Sequence, residues 1–191
     1  RSTLTDSSAA SVVYKRQVEQ LAKKLNLKEN QSNLGIAHTR WATHGIPSEK
    51  NAHPHASKNI FVVHNGIIEN HNELKAQLKA EGIRFSTQTD TEVIGHLIRT
   101  FTEKGQSFEK AVFNTIKKLK GAYALGIIDK NNPEQIIGVR NQSPLVLGKG
   151  FEENFIASDV MALAPVTNKF TYLDDGQVAL LSSHKTVVKN I

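Results

Sequence analysis

Apolar residues recur every three or four positions in four stretches of this chain. Such spacing gives a helix one apolar face for the core, so each stretch predicts a helix. The predicted helices cover residues 15–27, 71–81, 93–101 and 108–119. Gly82 and Gly105 are the expected terminators of the second and third helices, and Ser107 is the expected N-cap of the fourth.

Short apolar runs and alternating patterns predict strands on both sides of the last three helices. The candidate strands are Leu34–Ala37, Ile60–Val63, Tyr123–Ile128, Gln135–Val139, Leu145–Leu147, Asn154–Ala157, Thr171–Leu173 and Gln177–Leu181. A short helix is expected after Ser158, because Asp159 favours a helix N-terminus. Helices placed between two strand-rich regions favour an α+β fold of packed sheets and helices.

The stretch between the first two candidate strands, residues 40–58, shows no periodicity and is predicted to be a loop. It is polar, and it contains two prolines and three of the eight histidines. Long loops in compact domains often carry function.

Composition and charge narrow the class of protein. The chain has 191 residues, of which 39% are hydrophobic and 22% charged, as expected for one soluble globular domain. It has no run of about 20 apolar residues and no apolar signal region near Arg1, so neither a membrane span nor a signal peptide is predicted. A cytoplasmic location is therefore the default expectation.

The net charge of +6 raises the expectation of a polyanionic partner. The basic residues are scattered, however, and three Tyr and one Trp offer few platforms for base stacking. A solvated basic surface is the favoured interpretation, and nucleic-acid binding is disfavoured.

The densest group of chemically versatile side chains is His38-Thr39-Arg40-Trp41-Ala42-Thr43-His44-Gly45. A guanidinium offers a rigid fork that matches a carboxylate or phosphate. Recognition of an anionic ligand group by Arg40 and a merely solvated arginine both remain open from these features.

Two further signals each have a local and a functional interpretation. Asn65-Gly66 follows a predicted strand and is typical of a tight turn. Alternatively, the Asn65 amide and the Gly66 backbone N–H could converge on a developing oxyanion. Asp90 lies in Thr89-Asp90-Thr91-Glu92, which matches a helix capping box, but its carboxylate could also pair with a substrate ammonium.

Other kinds of site find little support. His53-Pro54-His55, with more histidines nearby, could suggest zinc, but the loop lacks a neighbouring carboxylate and no His-Glu-x-x-His helix occurs. We therefore expect no metal. Walker A, G-x-G-x-x-G and G-x-S-x-G motifs are all missing from the sequence.

Seven segments together resemble the glutaminase domains of glutamine:fructose-6-phosphate aminotransferases. They are HTRWATHG (38–45), NAHPH (51–55), VVHNGIIENHNELK (62–75), TDTEVIGHLI (89–98), LKGAYAL (119–125), SPLVLG (143–148) and ENFIASD (153–159). Trp41 and the TDTEVI string favour this family over amidophosphoribosyltransferases.

The resemblance implies a fold and a domain extent. The fold would be of the N-terminal-nucleophile hydrolase type, an α+β four-layer αββα sandwich. Residues 34–191 would form a class II (type 2) glutamine amidotransferase domain. Residues 1–33 would be an incomplete or divergent N-terminal part, with the first strand incomplete or missing.

The resemblance also implies an activity and residue roles. The activity would be hydrolysis of L-glutamine to L-glutamate and ammonia, without a cofactor. Asn65 and Gly66 would form the oxyanion hole, while Arg40 would hold the substrate α-carboxylate and Asp90 its α-ammonium. The loop that closes over glutamine would contain Trp41, Thr43 and His44, and His53 would help to order it.

The ammonia would pass to a sugar-isomerase domain for glucosamine 6-phosphate synthesis, in amino sugar (UDP-GlcNAc) biosynthesis. The full-length enzyme would be a homodimer. The nucleophile implied by the resemblance is an N-terminal cysteine whose free α-amine acts as general base. This chain begins with Arg1 and contains no cysteine.

Neither Ser2 nor Thr3 is expected to substitute for that cysteine, because neither is terminal. We therefore expect no glutaminase turnover from the chain as written. Either the N-terminal piece lies outside it, or the alternative function applies: a non-catalytic glutamine/glutamate-binding or interaction module of the same fold.

Overall fold

The computed structural model describes residues 32–39, 45–46 and 48–191. This part of the chain contains three α-helices: α1 (His71–Ala80), α2 (Glu92–Glu103) and α3 (Phe108–Ile116). Its strands are β1 (His55–Ser57), β2 (Ile60–Gly66), β3 (Tyr123–Asp129), β4 (Ile136–Asn141), β5 (Val146–Lys149), β6 (Asn154–Ala157), β7 (Phe170–Tyr172), β8 (Gln177–Leu181) and β9 (Thr186–Asn190). Short 3₁₀ helices occupy Glu49–Asn51 and Val160–Ala162.

The strands form two antiparallel sheets. The larger has six strands in the order β1-β2-β3-β4-β8-β9, and the smaller has three in the order β6-β5-β7. The longest ladder pairs β2 with β3, from Ile60 opposite Asp129 to Gly66 opposite Tyr123. The candidate site lies at the Gly66 end of this ladder.

Alternation along the strands sends side chains to two separate cores. On one face, residues such as Val62, Leu125 and Val139 pack against the three helices. On the other face, Ala124 and Ala179 belong to a second cluster with side chains of the smaller sheet. The described residues therefore form a helix–sheet–sheet stack.

Two paired glycines allow the sheets to approach closely. Gly126 and Gly138 lie opposite each other on β3 and β4. A Cβ atom on either one would lie 3.1–3.3 Å from side-chain carbons of Ile156, on the smaller sheet. Glycine at these positions leaves space for that isoleucine.

The periodicity predicted most of the described elements. All three helices are confirmed, and so are the Ser107 N-cap and the short helix after Asp159. Strands β2 to β8 lie within about two residues of their predicted positions, apart from the longer C-terminal end of β2. The helix predicted for residues 15–27 lies outside the described residues.

One predicted strand is not observed, and two observed strands were not predicted. Leu34–Ala37 pairs with no described strand and alternates between half-buried and exposed positions. Both edge strands of the larger sheet, β1 and β9, were missed. β1 has three residues within the predicted loop, and β9 is mostly exposed, so neither carries a strong apolar pattern.

Candidate functional site

The turn predicted at Asn65-Gly66 is wrong, because both residues continue β2. Asn65 is opposite Ala124 and Gly66 is opposite Tyr123. Gly66 has a φ of +119°, and a Cβ atom there would lie 2.0 Å from the Ala122 carbonyl oxygen. This close approach alone explains why the position requires glycine.

The register indicates where the Gly66 N–H points. The next residue, Ile67, donates its N–H to the Ala122 oxygen at 2.8 Å, so that pair is a hydrogen-bonded one. Hydrogen-bonded and non-bonded pairs alternate in an antiparallel ladder. Gly66 therefore occupies a non-bonded position, with its N–H directed away from β3. On that side β1 extends only as far as Val62, which is opposite His55.

The Asn65 side chain lies on the inter-sheet side of β2, because its partner Ala124 belongs to the second core. Its Oδ1 is 2.5 Å from Nε2 of His38. The amide group of Asn65 is therefore held by a residue 27 positions earlier in the chain.

The capping-box prediction for residues 89–92 is also wrong. Helix α2 begins at Glu92, and its N-cap Thr91 makes no side-chain capping bond. The Asp90 carboxylate instead accepts a hydrogen bond from the Ile68 backbone N–H at 2.8 Å. Asp90 is 3% exposed, so it is a buried carboxylate attached to the segment that follows Gly66.

Glu92 holds the turn that carries Asp90. Its two carboxylate oxygens accept backbone and hydroxyl hydrogen bonds from Ser86 and Thr87 at 2.6–2.9 Å. His96 Nε2 lies 3.3 Å from the same carboxylate. Burial raises the pKa of Glu92, but the hydrogen bonds from His96, Ser86 and Thr87 outweigh it and place the pKa well below its ordinary value.

Thr91 connects the two halves of the site. Its hydroxyl lies 2.9 Å from His64 Nδ1 and 3.2 Å from His53 Nε2. The His53 ring contacts the His38 ring, with centroids 4.4 Å apart. These contacts place His53 between the turn that carries Asp90 and the histidine that holds Asn65.

The sequence-predicted residues Asn65, Gly66, Asp90 and His53 therefore lie together at the end of β2, where hydrogen bonds and the His38–His53 ring contact connect their segments. Arg40, Trp41, Thr43 and His44 lie outside the described residues.

Sequence reasoning missed the supporting residues His38, Thr91 and Glu92. A usable signal was present in residues 86–92, where seven consecutive polar residues precede an apolar helix. The last four residues of this run, 89–92, are buried, and buried polar groups require internal hydrogen-bond partners.

A second polar array resembles a serine–histidine–carboxylate triad. Ser57 Oγ lies 2.8 Å from His96 Nδ1, and His96 Nε2 faces Glu92. All three residues are 3–5% exposed. The hydroxyl, the imidazole and the carboxylate bond to one another, and the carboxylate also accepts from Ser86 and Thr87, so this array serves to join β1 to α2.

Among the described residues, no group of three His, Cys, Asp or Glu has the geometry of a metal site. No described helix is both long enough and apolar enough to cross a lipid bilayer.

Comparisons with known proteins converge on one family. A family profile described as "Glutamine amidotransferase domain" matches residues 38–165. The glutamine--fructose-6-phosphate aminotransferase [isomerizing] of Acinetobacter baylyi is 50% identical over 186 residues, which cover 93% of this chain and 30% of that protein. The enzyme of the same name from Escherichia coli K12 is 51% identical over 162 residues, covering 85% of this chain and 27% of that protein.

This chain thus spans less than a third of the length of these curated relatives. Among solved structures, the glutamine phosphoribosylpyrophosphate amidotransferase of B. subtilis, complexed with ADP and GMP, aligns with a TM-score of 0.67. Its sequence identity is 26%, and the alignment covers 80% of this chain and 34% of that one.

A glutamine aminotransferase class-II domain protein from Silicibacter pomeroyi shares the fold at 14% identity. Its TM-score is 0.56, and the alignment covers 72% of this chain and 70% of that one. These neighbours confirm the α+β fold of the N-terminal-nucleophile amidotransferase type.

Proposed function

The chain belongs to the glutamine amidotransferase domain family, and from this premise we propose that it forms the glutaminase site of a glutamine:fructose-6-phosphate aminotransferase. The reaction at this site is the hydrolysis of L-glutamine to L-glutamate and ammonia. The ammonia serves a sugar-isomerase domain that makes glucosamine 6-phosphate in a homodimeric full-length enzyme. Identity of 50–51% to two relatives of that name supports this choice within the family.

One observation carries the proposal: the end of β2 and the turn before α2 are joined at the candidate residues themselves. Asp90 binds the Ile68 N–H, and Thr91 binds His64, so the two segments meet on both sides of Asn65-Gly66. Two neutral N–H donors and a carboxylate are thereby brought into one cluster. A free amino acid presents a carbonyl and an ammonium that need such partners.

The chemistry assigned to these residues follows from their charges. Attack on the side-chain amide carbon of glutamine converts its carbonyl into an oxyanion. The N–H groups of Asn65 and Gly66 stabilise that charge without changing their own protonation. The Asp90 carboxylate pairs with the α-ammonium, and we propose that Arg40 pairs with the α-carboxylate.

The remaining roles concern access and nucleophilic attack. Trp41, Thr43 and His44 are proposed to belong to the loop that closes over glutamine, with His53 ordering its base. No residue of this chain is assigned as nucleophile, since the chain contains no cysteine and the family resemblance assigns that step to an N-terminal thiol.

We propose residues 34–191 as the extent of the domain. Ile36 supports a start this early, because its side chain lies over β3, within 3.9 Å of the position that a Gly126 Cβ would occupy.

The test is glutamine hydrolysis by the whole gene product, measured as glutamate and ammonia release. Replacing Asn65 with Ala removes one oxyanion donor and is expected to lower kcat about 10²–10³-fold. Asn72→Ala is the matched control, because Asn72 is an exposed residue of α1. An Asn65→Ala enzyme that keeps the parental kcat would contradict the proposal.

The same assay separates the enzyme from the binding module. Replacing Asp90 with Asn should raise the KM for glutamine, because the ammonium loses its charged partner. A gene product that saturates with glutamate in calorimetry but never releases ammonia from glutamine would instead be the non-catalytic module.

A further inference from the structure

The hydrogen bond between His38 and Asn65 has a defined direction. The Asn65 atom at 2.5 Å from His38 Nε2 is the amide oxygen. An amide oxygen only accepts hydrogen bonds, so Nε2 must carry the hydrogen and donate it. Oxygen and nitrogen of a planar amide point in different directions, so the Asn65 NH₂ group faces away from His38.

That orientation matters because an isolated Asn side chain has no strong preference for either of its two amide orientations. Rotation about χ2 is broad and roughly two-fold, so the amide oxygen and nitrogen can exchange places with little change in shape. In one orientation the group presents a donor to an oxyanion, and in the other it presents an oxygen that repels the charge. A fixed donor on the far side of the amide selects between them.

His38 is itself held in place by its surroundings. Its ring packs on His53 at a centroid distance of 4.4 Å, and His53 binds the Thr91 hydroxyl at 3.2 Å. His53 is 7% exposed, so this support is protected from water. Two residues before His38, Ile36 reaches the inter-sheet face of β3.

We propose that His38 is a positioning residue that orients the Asn65 amide so that its NH₂ group serves the oxyanion. This inference rests on the proposed function, since it assigns a role to His38 only if Asn65 acts on substrate. Both neutral imidazole with hydrogen on Nε2 and imidazolium can donate this bond. His38 therefore needs no change of protonation during the reaction.

The loss of kcat expected on replacing His38 lies between two limits. Free rotation between two equal amide orientations would lower the rate only about twofold. Loss of the Asn65 donor altogether corresponds to about 10²–10³-fold. A preorganised donor that becomes mobile lies between these limits, so replacing His38 with Ala is expected to lower kcat about tenfold.

The test is a double-mutant cycle on glutamine hydrolysis by the whole gene product, comparing His38→Ala, Asn65→Ala and the double variant. If His38 acts through Asn65, His38→Ala lowers kcat in the parent but changes it less than about twofold in the Asn65→Ala background. The KM for glutamine stays within about twofold of the parent, since ground-state binding is not the target.

Two variants separate positioning from a general loss of structure. His38→Gln places an amide N–H close to the position of Nε2, so it should recover most of the kcat lost in His38→Ala. His184→Ala is the matched control, because His184 is exposed on the turn before β9. If His38→Ala does not fold, His38→Leu takes its place in the cycle, because leucine keeps much of the bulk of the side chain but donates no hydrogen bond.

The possible outcomes are distinct. Equal losses of kcat with and without Asn65 would overturn the inference, because His38 would then act independently of that amide. An unchanged kcat in His38→Ala beside a large loss in Asn65→Ala would overturn it too, while the proposed function would stand. An unchanged kcat in Asn65→Ala would instead remove the proposed function itself.

Discussion

Glu92 offers the most demanding test of how the site is built, because one buried carboxylate holds the turn that carries Asp90. The change is Glu92→Gln, which keeps the shape of the side chain but removes its charge and replaces one acceptor oxygen with a donor. Glu92 is 3% exposed, so water cannot readily take over the lost bonds.

The magnitude follows from the contacts. Ser86 and Thr87 each offer Glu92 a backbone N–H and a hydroxyl, the backbone bonds being 2.7 Å long. A glutamine NH₂ must face one of the two backbone N–H groups, and a buried donor without an acceptor costs about 1–3 kcal/mol. The surviving bonds lose their charge assistance, worth roughly 0.5–1.5 kcal/mol each.

Relief of the desolvation of a buried charge offsets part of this loss. We therefore expect Glu92→Gln to lower the free energy of unfolding by about 2–4 kcal/mol. Urea denaturation followed by far-UV circular dichroism measures it. With a slope of about 2 kcal/mol per molar urea, the midpoint should fall by roughly 1–2 M at unchanged slope.

Glu134→Gln is the control, because Glu134 is an exposed residue in the turn between β3 and β4 and should change stability by less than about 0.5 kcal/mol. If Glu92→Gln and Glu134→Gln unfold at the same urea concentration, the reasoning from the carboxylate contacts is refuted.

Two further predictions concern pH and backbone conformation. In the folded protein the pKa of Glu92 is lowered from its ordinary value of 4.5. Its contribution to stability is therefore complete above pH 4.5 and is lost progressively as the pH falls below that value. Thermal unfolding from pH 7 to pH 3 should show a smaller decrease of the melting temperature in Glu92→Gln than in the parent. Gly121→Ala should destabilise the protein by more than about 3 kcal/mol, because Gly121 has a φ of +120° and a Cβ would lie 2.2 Å from the Ile67 carbonyl oxygen. Gly82→Ala, at a φ of +84° with open space around it, should cost only about 1–2 kcal/mol, and equal losses in the two urea titrations would contradict the steric argument.

The helices were predictable because their signals are local. The apolar stripe of α2 and the Ser107 cap of α3 depend on residues within a few positions of one another. The edge strands have no such local signal. β9 has one half-buried residue among five, so no apolar alternation distinguishes it from a loop.

The candidate site shows where local rules mislead. Thr89-Asp90-Thr91-Glu92 satisfies the capping-box pattern, yet each of its carboxylates binds a backbone N–H outside α2. Asn65-Gly66 satisfies a turn pattern, yet β3 pairs with it and extends the strand. In both places a partner more distant in sequence supplied the hydrogen bonds that the local motif would have made.

The amino-acid sequence by itself determined the helices, most strands, the α+β class and the family, because periodicity, caps and motif spacing are all properties of neighbouring residues. Tertiary structure alone decided which polar groups meet. The bonds from Asn65 to His38 and from Asp90 to Ile68 span 27 and 22 residues. They exist because tertiary packing brings those segments together, and a one-residue shift of β2 would turn the Asn65 side chain to the opposite face of the sheet.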